Sequence, residues 1–211
     1  MDHDRLRVFF TRWKESFLKG FRARPGRNWA GAPLAADGTL GESLRTESER
    51  FVLAPMTPAD AAALRALTDH PAITDAISFL SSPFSLADAN RLIAANGSGN
   101  DAFMGVRRRA DHALVAVVGA HLRGDMAVEI GYWVGATYHN QGYASEALGV
   151  LLAKLAAAYP NRQVIAECRP ENAASVRVLW KLGFAQTNTQ GVRPGRVVYA
   201  RGARFINTRS S

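Results

Sequence analysis

The stretch His139-Asn140-Gln141-Gly142-Tyr143-Ala144 joins a run that reads as a strand to one that reads as a helix, with a glycine at the join. The first N–H groups of a helix have no partner within it and point outward at the positive end of its dipole. Such an end can take a phosphate. Gly142, lacking a Cβ, reaches positive φ or lets an anion approach closely, and Ala144 keeps a nearby position small. A glycine at a helix start is, by itself, more often an ordinary tight turn than an anion site.

A second element follows another strand, Val164 to Cys168. Asn172-Ala173-Ala174-Ser175 opens a helix that runs to Lys181-Leu182-Gly183-Phe184. Asn172 suits two roles, a cap for that helix or a hydrogen-bond partner for a ligand, and Ser175 faces the same way one turn on. Other reactive side chains are less promising. Cys168 is the single cysteine, which excludes an internal disulfide, and a thiol nucleophile there would need a neighbouring base. His70, His112 and His121 lack metal-ligand spacing, so no metal is expected. Arg107-Arg108-Arg109 precede a turn and read as a solvated face within reach of an acidic substrate or a phosphate.

The elements that must hold these residues alternate along the chain. Arg50 to Ala54 reads as a strand. Thr57-Pro58-Ala59-Asp60 opens a helix, with Thr57 as N-cap and Pro58 at the first helical position. Ser85 and Asp88 repeat that signal before Ala89 to Ala95. Segments 102–107 and 113–122 read as strands joined through Arg108 to His112. Gly124-Asp125 marks a turn into strand 126–134. Ala147, Leu148, Leu151, Leu152 and Leu155 give segment 143–158 a broad apolar helical face. Asn172 to Leu182 is a helix with Gly183 just past its end, and strands begin at Phe184 and Val197. This order indicates an α/β fold of the α+β kind, a mixed sheet with helices on its faces. Residues 1–23 read as a basic amphipathic helix, with Leu6, Phe10, Trp13, Phe17 and Phe21 on one stripe. Residues 24–48, rich in glycine and proline, read as a flexible linker. The folded domain is expected over 49–211.

The ordered runs Glu129-Ile130-Gly131-Tyr132-Trp133-Val134, Gln141-Gly142-Tyr143-Ala144-Ser145-Glu146-Ala147, Asn172-Ala173-Ala174-Ser175 and Lys181-Leu182-Gly183-Phe184 resemble the GNAT superfamily, and within it the RimJ/RimL-like branch. The resemblance covers about 49–201. It implies a GNAT-like, mostly antiparallel sheet whose splayed strand pair binds acyl-CoA. It also implies an N-acetyltransferase that uses acetyl-CoA as co-substrate and a primary amine as acceptor, by direct attack in a ternary complex. The family's pyrophosphate loop falls on His139, Gly142 and Ala144, so main-chain N–H groups from about Gln141 through Tyr143 to Ala144 would hold the diphosphate. Trp133 and Val134 would carry the pantetheine arm by main-chain hydrogen bonds, as an added strand does. Asn172 and Ser175 match cofactor-contacting positions. Glu129 matches a position where members hold a catalytic glutamate, and a structural carboxylate paired with arginine is the equal alternative. Two departures stand out. His139 replaces the usual glutamine or arginine. Leu179 occupies the place of a tyrosine that protonates the leaving thiolate.

Of 211 residues, 47% are hydrophobic, as in a soluble globular protein. No apolar run is long enough to cross a bilayer, and no secretory leader is evident, so a cytoplasmic protein is expected. The formal charge is +8, concentrated at the ends: residues 1–30 hold eight basic and three acidic side chains, and 188–211 hold five arginines and no acid. Such ends could steer an anionic ligand or meet a ribosome, and the N-terminal stripe could serve a homodimer. The acceptor stays open between a protein N-terminus and a small molecule such as an amino acid, polyamine or antibiotic. A non-catalytic acyl-CoA-binding domain on the same fold is the remaining alternative.

Overall fold

A computed structural model describes residues 39–95 and 99–202. The amphipathic helix expected over 1–23 and much of the expected linker lie outside the described residues. In chain order the elements are α1 (Leu40–Ser43), β1 (Thr46–Glu47), β2 (Phe51–Pro55), α2 (Ala61–Thr68), α3 (Pro71–Thr74), α4 (Leu86–Ala94), β3 (Asp101–Arg108), β4 (Leu114–Arg123), β5 (Ala127–Val134), α5 (Tyr143–Ala158), β6 (Gln163–Cys168), α6 (Ala173–Lys181), β7 (Phe184–Gln190) and β8 (Val197–Arg201). The strand order is β1-β2-β3-β4-β5-β6-β8-β7. Pairs β1–β2, β2–β3, β3–β4, β6–β8 and β7–β8 are antiparallel.

The described residues fall into two compact units. One comprises 39–122 and 130–160, the other 123–129 and 161–202. In the first, a single apolar cluster joins Leu64 and Leu67 of α2, Ala89, Leu92 and Ile93 of α4, and Phe103, Val117 and Trp133 of the strands. Each large side chain so buried contributes about 1.5–3 kcal/mol. The α4 face exists because Leu92 and Ile93 return to the side of Ala89 after three and four residues. Its start is set by Ser85: the hydroxyl accepts the Asp88 N–H at 3.1 Å while the Asp88 carboxylate accepts the Ser85 N–H at 2.8 Å. Asp60 likewise accepts the Thr57 N–H at 2.8 Å ahead of α2, across one 3₁₀ turn, Pro58–Asp60.

The second unit has its own cluster of Ala127, Ile165, Val198 and Ala200, with Val192 against it. Here β8 lies between β6 and β7 and pairs with both.

The elements expected from the sequence form within a few residues of their expected bounds. The linker differs. Residues expected within 24–48 include α1 and β1, and Leu40 and Leu44 are fully buried. The glycine that reads as flexibility does another job: a Cβ on Gly41 would lie 3.1 Å from Pro55 Cγ, so its absence lets α1 lie close on β2. The short α3, begun by Pro71 and capped by the His70 imidazole, has no sequence expectation to match.

In urea unfolding, Leu64→Ala should cost about 2–5 kcal/mol, because this side chain is wholly buried. Ser85→Ala should cost about 1 kcal/mol; an equal loss from both would contradict the roles given to core and cap.

Candidate active site

The first turn of α5 is built by a glycine in the left-handed region. Gly142 is its N-cap, with φ 74° and ψ 5°, and no side chain caps the helix. Asn140, two residues earlier, also has positive φ, at 60°. Gln141 stays outside the turn, its amide nitrogen donating to the Thr137 carbonyl at 3.1 Å. Tyr143 is buried and Ala144 half-buried. The turn therefore presents helix-start N–H groups with no side-chain acceptor of their own, the arrangement an anion requires.

Arginines frame this turn. Arg50 Nε donates to Glu146 Oε2 at 2.6 Å, and its Nη1 to the Gln141 carbonyl at 3.3 Å. Its guanidinium lies 4.9 Å from the Tyr143 ring centroid. Glu146 also accepts from the Ser48 hydroxyl at 2.7 Å. Burial alone would raise the Glu146 carboxyl; the hydrogen bonds from Ser48 and Arg50 outweigh it and leave its pKa lowered. Arg108 donates to the Tyr143 hydroxyl at 3.3 Å and lies over the Tyr138 ring, which stacks on Tyr143 at 6.0 Å. Arg107, Arg108 and Arg109 are thus not a purely solvated face. They pair with Asp60, Asp111 and Glu47, and the Arg108 hydrogen bond holds the Asp111 pKa down to about 2.

His139 Nε2 is 2.9 Å from the Val134 carbonyl, so its ring ties the loop to the end of β5. Trp133 is buried, and its indole N–H donates to Thr68 Oγ1 at 3.0 Å. Its side chain is a core anchor, leaving only its main chain for a ligand.

In the other unit, Asn172 meets the first of its two roles: its side chain accepts the Ser175 N–H at 3.0 Å and caps α6. Burial raises the Cys168 thiol pKa, with a Ser175 hydrogen bond opposing, which disfavours a thiolate nucleophile. Leu179, 1% exposed, fills the core and offers no O–H. Glu129 is equally buried. One oxygen accepts from Arg123 Nε at 2.9 Å, the other from Arg193 Nη2 at 2.5 Å. That is the arginine-paired carboxylate of its second reading. Glu167 accepts the Val192 and Arg193 N–H groups at 2.8 and 3.3 Å, so the β7–β8 connection is tied to β6. Burial first, then the Glu129 charge, raises the Glu167 pKa.

Arg50, Tyr138, Glu167 and Arg193 carry no local signal in the sequence that marks them for the site. Arg50 and Glu146 are 96 positions apart, Arg193 and Glu129 64, and no local pattern reports such pairs. Among the described residues no three His, Cys, Asp or Glu could hold a metal, and no helix is long and apolar enough to cross a membrane.

The strand order and the helix start after β5, capped by a glycine and by no side chain, fit the GNAT fold, and the chain belongs to the GNAT acetyltransferase family. The family described as Acetyltransferase (GNAT) domain matches residues 50–185, more than half of the chain. The chain is similar to the uncharacterized N-acetyltransferase YnaD of Bacillus subtilis (strain 168), 33% identical over 102 residues, which span 48% of this chain and 60% of that protein. Among solved structures it resembles a GNAT-family acetyltransferase from Bacillus anthracis (TM-score 0.66, 24% identity, 74% of this chain and 96% of that one). It also resembles Mycobacterium smegmatis RimJ in complex with CoA-disulfide (0.60, 20%, 71% and 80%). A third is RimL, the ribosomal L7/L12 alpha-N-protein acetyltransferase, in complex with coenzyme A (0.63, 19%, 73% and 94%). These likenesses agree with the GNAT fold expected from the motifs.

Removing the Glu129 carboxylate should leave two buried guanidiniums short of an acid, so Glu129→Ala should cost about 3–5 kcal/mol in urea unfolding. The raised Glu167 pKa has a defined sign. Its ionised form carries a cost in the folded state that is absent below the unfolded pKa and complete above the folded one. The stability of wild type relative to Glu167→Gln should therefore shrink as the pH rises above the ordinary carboxylate range and through the raised folded-state pKa; a widening gap would refute that sign.

Proposed function

We propose that this protein transfers an acetyl group from acetyl-CoA to a primary amine. The observation that carries the reading is the α5 start, with Gly142 at φ 74° and no side-chain cap. Main-chain N–H groups near Gln141, Gly142, Tyr143 and Ala144 hold the diphosphate there, with Arg50 alongside. Main-chain groups of Trp133 and Val134 carry the pantetheine arm. His139 acts through the Val134 carbonyl rather than as a phosphate ligand. Asn172 and Ser175 are assigned to the cofactor by the resemblance alone, and because Asn172 also caps α6, its substitution must be read together with a stability measurement.

The reaction needs alignment above all. The thioester is already activated, and fixing amine and carbonyl carbon in attacking geometry is worth up to about 7–11 kcal/mol. A main-chain N–H near Val134 polarises the carbonyl as charge builds on its oxygen. The amine must also lose protons. The resemblance gives that role to Glu129, although both of its oxygens hold arginine hydrogen bonds. With Leu179 in place of a tyrosine, the departing thiolate takes its proton from water or from the attacking nitrogen. The acceptor supported best is an N-terminal α-amine of a protein, in line with the RimJ and RimL neighbours. The buried Leu179 favours one second reading, an acyl-CoA-binding domain without turnover.

Calorimetry should show acetyl-CoA uptake, and Gly142→Ala should weaken it about tenfold, the strain of a side chain in the left-handed region. No uptake by folded protein would overturn the reading. Release of free CoA thiol over N-terminal peptides, polyamines and aminoglycosides separates a transferase from a binding domain and ranks the acceptors. Glu129→Gln should lower turnover at saturating substrate while acetyl-CoA affinity stays within about twofold. Turnover unchanged across pH would remove Glu129 from the mechanism.

A further inference from the structure

We infer that Arg50 is the side-chain ligand of the acetyl-CoA diphosphate and the counter-charge that lets a diphosphate lie beside Glu146; the inference rests on the transferase reading above. The side chains of the loop itself do not fill that place. His139 Nε2 is held at the Val134 carbonyl, 2.9 Å away, and the Gln141 amide donates to the Thr137 carbonyl at 3.1 Å. The cation comes instead from the entry of β2. A Cβ built on Gly142 would meet Arg50 Nη2 at 3.7 Å, so the guanidinium stands beside the glycine that opens α5.

Arg50 is fixed by its own turn. The Ser48 N–H donates to the Phe51 carbonyl and the Arg109 N–H to the Arg50 carbonyl, both at 2.8 Å. The Glu146 carboxylate completes the fixing. Its Oε1 accepts from the Ser48 hydroxyl at 2.7 Å and from the Arg50 main-chain N–H at 3.1 Å. Its Oε2 lies 2.6 Å from Arg50 Nε and 2.6 Å from Nη2. The Phe51 and Tyr143 rings lie 5.2 and 4.9 Å from the guanidinium carbon. Nε–H and one N–H of Nη2 thus face Glu146, one N–H of Nη1 faces the Gln141 carbonyl, and each terminal nitrogen keeps a second N–H. The side chain is 43% exposed, so a phosphate reaches those donors from solvent.

Glu146 gives the arginine its second task. It lies in the first turn of α5. An acid there suits the bare helix dipole, but it repels an anion seated at the same end. The nitrogen of Arg50 that stands beside Gly142 is the one that also holds Glu146. Without Arg50 the carboxylate faces the ligand uncovered. Glu146 is therefore a positioning residue, both of its oxygens engaged by Ser48 and Arg50.

The test is calorimetry with CoA and with 3′-dephospho-CoA, which keeps the diphosphate and lacks the 3′-phosphate. Arg50→Ala should weaken both ligands by a similar factor, about 20-fold, the loss expected for a hydrogen bond to a charged group. Adding Glu146→Gln to Arg50→Ala should win back about fivefold, because the uncovered charge is then gone. A clamp that only shaped the loop would give no recovery, since Glu146→Gln loosens the turn further at Ser48. If Arg50→Ala does not fold, Arg50→Gln takes its place with the same expectations. Unchanged affinity in the single variant, no recovery in the double one, or a loss confined to CoA would overturn the assignment and leave the transferase reading standing; the last would give Arg50 to the 3′-phosphate. Absence of CoA uptake by the wild type would instead remove that reading and this inference with it.

Discussion

The first turn of α5 has amides to satisfy and no side chain of its own to satisfy them. Everything near it follows from that constraint. Gly142 supplies the left-handed turn, and Arg50 spans the Glu146 carboxylate and the Gln141 carbonyl from 91 to 96 positions away. Tyr143 is wedged under that arginine and edge-on to Phe51 at 4.8 Å. The loop before the turn is tied at His139 and Gln141 to main-chain carbonyls. A loop so fastened has little freedom left to lose, which is the physical basis of a preformed turn.

Charge in the other unit obeys a different rule. Glu129 and Glu167 are buried carboxylates on neighbouring strands, and like charges repel across a dry interior. Arg193 is set between them, 2.5 Å from Glu129 and 3.5 Å from Glu167. Arg123 adds a second guanidinium to Glu129. The arrangement anchors the β7–β8 connection, because both carboxylates reach into residues 192–193. Burial of ion pairs costs solvation that Coulomb attraction only partly returns, so such a set is better understood as fixing geometry than as adding stability.

Much of this was legible in the sequence, for local reasons. The bounds of α5 are those read from Gly142 and the apolar spacing of Ala147 to Leu155. Ser85 with Asp88, Asn172 before α6 and Gly183 after it, the last at φ 82°, each act where their chemistry placed them. What stayed illegible depends on partners far along the chain. Gly41 reads as a linker residue until Pro55 is placed against it. The three consecutive arginines read as solvated until three separate acids are. His121 reads as one scattered histidine until Asp101 faces it across β3 and β4.

The arginine bridge between the two buried glutamates also bears on how such a chain can change over time. Losing any one member strands the others, so single-step replacements pass through a weakened intermediate. Substitutions that do persist in descendants should come as matched exchanges, an acid and a base leaving together for apolar residues of similar volume. The loop they hold would then be free to diversify only after its tether had been replaced as a set.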